Sequence, residues 1–135
     1  MTTSVTPVIE NALKVLLVSD LEKSKSYYRD VLGCEVTDWW AVRDGLNGLG
    51  FKLLEAADVA DVRPNKAPKG FGYASDVYAY VANWEQLDAL YEELSSKGVI
   101  LAYEPYIQDF GWGKWKEFAV NDLDGYTITF GANGQ

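Results

Sequence analysis

The strongest constraint on the fold is internal repetition. Residues 12–18, ALKVLLV, form a mostly aliphatic run closed by Ser19-Asp20, which predicts a buried strand. The Ser19-Asp20 pair supplies N-cap chemistry, because a short side-chain oxygen accepts from the free N–H groups of a first helical turn. LEKSKSYYRDVL follows, with Leu21, Ser24, Tyr28 and Val31 on one helical face, and Gly33 stands where a left-handed C-terminal residue belongs. The segments CEVTDWWAVRDG and LGFKLLEA read as short strands around a Gly/Asn-rich turn, and Cys34–Glu55 has room for two strands or three. The second half repeats the order. Val77–Ala82 predicts a strand and Asn83 an N-cap. Trp84, Leu87, Leu90, Tyr91 and Leu94 then form an apolar stripe, and three further strands follow. The pattern is β-α-β-β-β, twice, at an offset of about sixty residues.

This predicts one α+β domain with module one at about 8–56, a joint at about 57–70 and module two at about 71–133. The joint carries two of the four prolines, several charges and little periodicity, as a linker or mobile loop does.

Composition removes several chemistries. The 135 residues include no histidine and a single cysteine, Cys34. Ser-His-Asp and Cys-His nucleophile systems are therefore impossible, as are an imidazole-based zinc site and an intramolecular disulfide. The net charge of −8 repels nucleic acid and anionic membrane, and mildly favours a cationic partner. No apolar run approaches a membrane span, and MTTSVTPV lacks a signal-peptide pattern. A cytoplasmic location is the expectation.

The segments VSDLEKSKSYYRDVLG (18–33) and WGKWKEFAVNDLDGYTITF (112–130) resemble the vicinal oxygen chelate superfamily. That superfamily includes glyoxalases, extradiol dioxygenases, fosfomycin-resistance enzymes and bleomycin-resistance proteins. The resemblance spans nearly the whole chain. It implies two βαβββ modules that form a curled mixed sheet, paired edge to edge around a ligand cleft, with helices on the convex face. In the enzymes of that family a divalent metal sits in the cleft, held from the first and last strand of each module, typically by His, Glu, His and Glu. Carried over one position at a time, those places hold Leu13, Lys52, Asp76 and Thr129. One anionic ligand beside a cation and a hydrocarbon does not make a transition-metal site, so no metal and no cofactor is expected. A hard cation would need Asp76 and Glu117 to converge.

Strand alternation sorts the faces. If Val77, Ala79 and Val81 cover the helix, Asp76, Tyr78 and Tyr80 face the cleft. If Ile128 and Phe130 are core, Thr127 and Thr129 face it. Trp115 and Glu117 oppose the core residues Phe118 and Val120. Leu13, Val15 and Leu17 line the floor, and Trp39, Trp40, Phe110 and Trp112 add aromatic walls from loops. The candidate ligand-binding set is thus Trp39, Trp40, Lys52, Asp76, Tyr78, Tyr80, Phe110, Trp112, Trp115, Glu117, Thr127 and Thr129.

Three classes of function fit. The resemblance to the metal-free, bleomycin-resistance-like branch implies a non-catalytic, dimeric protein that sequesters a bulky aromatic or cationic antibiotic-type molecule. The alternative is a metal-independent or carboxylate-metal enzyme using Asp76 or Glu117 as a base. A structural or regulatory module with a filled cleft is the third.

Overall fold

The computed structural model describes residues 4–134. Module one runs β1 (Lys14–Val18), α1 (Leu21–Asp30), β2 (Glu35–Val36), β3 (Trp40–Arg43) and β4 (Leu49–Glu55). Module two runs β5 (Val77–Tyr80), α2 (Trp84–Ser96), β6 (Ile100–Asp109), β7 (Lys114–Asn121) and β8 (Thr127–Asn133). Cys34–Glu55 holds three strands, the first only two residues long. Each module makes a four-stranded sheet, in the orders β1-β4-β3-β2 and β5-β8-β7-β6. In both, the first strand lies parallel to the last and the other pairs are antiparallel. The fold is α+β, built from two βαβββ units.

Local chemistry sets the element ends. The Asp20 carboxylate accepts from the Lys23 N–H at 3.1 Å and the Asn83 side chain from the Gln86 N–H at 2.9 Å. Each satisfies one of the orphan donors of a first turn. Gly33 follows α1 at φ +74° and Gly98 follows α2 at φ +79°, a backbone region that only glycine enters without a Cβ penalty.

Alternation decides what is buried. Leu16 and Val18 on β1, Phe51 and Leu53 on β4, Phe118 and Val120 on β7 and Ile128 on β8 are all essentially inaccessible. Together with Tyr28 from α1 and Leu87 and Leu94 from α2, they form one continuous core. Each large side chain in it contributes about 1.5–3 kcal/mol by leaving water. Tyr27 joins Ser24 and Tyr28 on the buried face of α1, because it reaches across to the second module.

The two sheets are separate rather than joined at an edge within the chain. Both modules spend their helix-bearing faces on the common core, and polar bonds stitch that seam. The Tyr27 hydroxyl donates to the Asn121 carbonyl at 2.7 Å, and the Tyr28 hydroxyl donates to Asp122 at 2.8 Å. The Tyr126 hydroxyl donates to the Leu17 carbonyl at 2.7 Å. Arg43 forks onto Glu93 and also donates to the Leu32 carbonyl. The edge-to-edge pairing implied by the family resemblance is therefore absent between these two modules. Their other sheet faces point away from the core, with Val15, Leu54 and Tyr80 exposed.

Candidate functional site

On module two the face away from the core is built by β5, β8, β7 and β6 in that order. Val77 and Ala79 pack on the core, so Tyr78 turns outward. It lies opposite Thr129 in the parallel β5–β8 pair. Phe118 and Val120 take the core side of β7, which leaves Trp115 and Glu117 on the outer side. Across from β7, β6 is irregular. Its register shifts between Leu101 and Tyr103 and again between Tyr103 and Tyr106. Residues three apart in a regular strand face opposite ways. The second shift, at Glu104-Pro105, instead brings both Tyr103 and Tyr106 to Glu117.

The result is a carboxylate held by three phenols. Tyr78 donates to Glu117 Oε1 at 2.8 Å, and Tyr103 and Tyr106 donate to Oε2 at 2.7 and 3.2 Å. The Trp115 indole N–H in turn donates to the Tyr78 hydroxyl at 2.6 Å. Burial, followed by the nearby Glu117 charge, pushes the Tyr106 hydroxyl up to about 12. Burial and the bond to Glu117 raise Tyr78 and Tyr103 well above the ordinary tyrosine value. All three stay protonated and can act as donors to the carboxylate.

This cluster floors a cleft of about 610 Å³. The segment from Pro68 to Tyr73 forms its other wall, with the Tyr73 ring 4.2 Å from that of Tyr103. The joint therefore contributes to the cleft, and a pin holds it there. Asp76 accepts from the Asn65 N–H at 2.7 Å and from the Thr127 N–H at 2.8 Å, while the Asn65 amide donates to the Ser75 carbonyl. Nearby, Thr129 donates to Ser75 Oγ at 3.0 Å.

The residues expected at the site thus divide into groups. Tyr78, Glu117 and Thr129 line the cleft, and Trp115 supports Tyr78 from behind. Asp76 serves the backbone at the joint, and Thr127 donates to the Asn121 side chain. Tyr80 is 79% exposed and stands outside the cleft beside Trp115. Phe110 and Trp112 stack on each other with rings 5.4 Å apart, at the exposed β6–β7 tip. Trp39, Trp40 and Lys52 belong to module one, where the Lys52 ammonium lies 4.4 Å over the Trp39 ring. The Trp40 indole N–H is buried with no hydrogen-bond partner among the described residues. Leu13 lies in a second, wider groove of about 730 Å³ between the start of β1 and β5. Tyr73, Tyr103 and Tyr106 escaped the sequence reading. Pro105 inside β6 is the signal that could have found Tyr103 and Tyr106, since proline in a strand marks an edge or a bulge.

The four positions carried over for metal ligands do not fit a metal. Leu13 is a hydrocarbon, Lys52 is a cation over an indole, both Asp76 oxygens accept backbone N–H groups, and Thr129 donates to Ser75. No group of three His, Cys, Asp or Glu side chains able to hold a metal occurs among the described residues. Among the described residues, no helix is long and apolar enough to cross a membrane.

Two βαβββ modules in one chain, one of them with an open, aromatic-walled sheet face, define a duplicated α+β scaffold. The sequence profile of the Glyoxalase/Bleomycin resistance protein/Dioxygenase superfamily matches residues 10–130, and the chain belongs to that superfamily. A glyoxalase/bleomycin resistance protein/dioxygenase from Alicyclobacillus acidocaldarius is similar in structure at a TM-score of 0.70 and 13% identity, over 93% of this chain and 92% of that one. A superfamily member from Sphaerobacter thermophilus gives a TM-score of 0.65 at 21% identity, over 93% and 98%. An integron cassette protein from the mobile metagenome of V. cholerae gives 0.60 at 15%, over 96% and 98%. At these identities the likeness is one of fold. Among curated proteins, none matches the chain.

Proposed function

We propose that the protein is a non-catalytic binder that sequesters a bulky, planar, aromatic or cationic molecule of the antibiotic type and so confers resistance to it. The observation that carries this reading is the cleft itself. Tyr73, Tyr103, Tyr106 and Phe71 offer flat apolar faces, while a hydrogen-bonded carboxylate fixes the floor. Ligand sites of this kind combine aromatic walls with a few placed polar groups. A base-catalysed reaction is served poorly. An ionised carboxylate offers about four lone-pair positions, and at Glu117 three are engaged by phenols. At Asp76 both oxygens are engaged by backbone N–H groups.

The protein is proposed to work as a homodimer. Exposed apolar side chains on the outward sheet face of each module, Val15 and Leu54 on one and Tyr80 on the other, support this, since exposed apolar surface marks interaction sites. Light scattering would then return twice the 15.0 kDa chain mass. The functional test is thermal denaturation against a panel of planar and polycyclic antibiotics. A ligand at one hundred times its dissociation constant adds about 2.7 kcal/mol of stability. A flat response across the panel would refute binding, and turnover of any panel member would refute a non-catalytic role.

A further inference from the structure

Resting on the binding reading above, we infer that the module-two cleft selects an aromatic cation that carries N–H donors, such as an amidinium, guanidinium or protonated amine joined to a flat ring, and rejects anions. The inference comes from where the protons are. A carboxylate only accepts hydrogen bonds and a phenol has a single O–H. Because Tyr78, Tyr103 and Tyr106 each spend that proton on Glu117, none is left for a ligand. Thr129 has likewise committed its proton to Ser75, and Ser75 has committed its own to the Val77 carbonyl. The floor therefore presents acceptors only, namely the remaining carboxylate lone pair and the phenol oxygens. Side-chain donors without a committed partner, the Tyr73 hydroxyl and the Gln108 amide, sit at the exposed rim.

Charge points the same way. Among the described residues, Glu117 is the only charged side chain lining the cleft, and no lysine or arginine pairs with it. The neighbouring Lys116 turns to the helix side, where it reaches Asp88 at 2.6 Å and lies over the Trp84 ring. Lys69 belongs to the wall segment but does not line the cavity. A half-buried carboxylate without a cation is a partner in waiting for one, and the rings around it attract a cation through their faces.

The test uses four small probes of one shape on the intact protein: benzamidinium, neutral benzamide, phenyltrimethylammonium and benzoate. Calorimetric or NMR titration should show benzamidinium binding at least about tenfold tighter than benzamide or phenyltrimethylammonium, with benzoate weakest, because a hydrogen bond to a charged group contributes about 10- to 100-fold. Glu117→Gln should erase the advantage of benzamidinium over benzamide. Equal affinity for benzamide and benzamidinium overturns the cation inference while leaving an aromatic cleft. Equal affinity for phenyltrimethylammonium overturns the donor requirement. Persistence of the gap in Glu117→Gln overturns the assignment to Glu117, and no binding by any probe overturns the binding reading as well. If Glu117→Gln does not fold, the ranking of the four probes on the parent protein decides.

Discussion

Tyr28→Phe isolates the bond that joins the two modules most deeply. Tyr28 is fully buried and Asp122 is only 2% exposed. The hydroxyl of one donates to Oδ2 of the other at 2.8 Å. The substitution keeps the ring against Phe51, 5.1 Å away, and leaves no cavity, so the loss is electrostatic. A hydrogen bond to a charged acceptor is worth about 1.5–3 kcal/mol. With an unfolding entropy of about 2.1 cal/mol/K per residue over 135 residues, the melting temperature should fall by about 5–10 °C. The cost should also depend on pH. Burial lifts the Asp122 carboxyl above the ordinary aspartate value, while Tyr28 and the backbone N–H groups of Tyr126 and Asp124 pull it down. Between the ordinary and the folded value the folded chain holds a proton that the unfolded chain has lost, so stability falls as pH rises through that interval. Removing the hydroxyl lifts the carboxyl further and widens the interval. The penalty of Tyr28→Phe is therefore full above it and shrinks as pH falls into it, when Asp122 takes up a proton. Urea unfolding followed by tryptophan fluorescence from about pH 8 down to about pH 4, the ordinary aspartate range, measures both effects. Tyr27→Phe is the control, since the Tyr27 hydroxyl meets only backbone groups, the Asn121 carbonyl and the Ile100 N–H. Its cost should not change with pH. A Tyr28→Phe cost that is equally independent of pH, or below about 0.5 kcal/mol, a size typical of a surface change, would refute a charged bond at the seam.

Two further substitutions probe the cleft. A Cβ added at Gly131 would lie 2.5 Å from both Trp115 Nε1 and the Tyr78 hydroxyl. Gly131→Ala should therefore displace the indole, cost about 1–3 kcal/mol and loosen ligand binding, seen as a changed tryptophan emission and a weaker titration. Asp76→Asn replaces one of two acceptor oxygens with an NH₂ group that faces a backbone N–H. It should cost about 1–3 kcal/mol and speed tryptic cleavage at Lys66 and Lys69, and an unchanged cleavage rate would show that the pin does not hold the joint.

The fold was legible because each half obeys two simple periods. The stripe from Trp84 to Leu94, the N-caps at Asp20 and Asn83 and the alternation along β5 and β7 all follow from sequence spacing, and the structure has them. The site was legible only as far as strands stay regular. Tyr78, Glu117 and Thr129 were reachable by counting in twos. Tyr103 and Tyr106 were not, because the irregular β6 resets the count between them. Tyr73 was out of reach because nothing local tells whether a Pro/Gly-rich joint hangs free or leans on a sheet. Asp76 looked like a cleft residue by parity, yet its carboxylate caps backbone N–H groups, a choice that depends on where Asn65 and the start of β8 arrive in space. The edge-to-edge pairing implied by resemblance is likewise a question of which partner a face meets, and within one chain the shared core takes precedence.

The pin at Asp76 has a consequence for how such a protein changes. Asn65 and Asp76, eleven positions apart, close a ring of chain whose interior is the cleft wall. Doubling the length of a flexible closed segment costs only about 0.6 kcal/mol, and the neck isolates the sheets from whatever happens beyond it. The part of the molecule that shapes one side of the cleft is therefore the part that can be lengthened or rewritten at least expense to folding. The Glu117 floor lies in the sheet and is fixed by packing. Lineages built on this chain should vary in the size and outline of the cleft while keeping the charge of its floor.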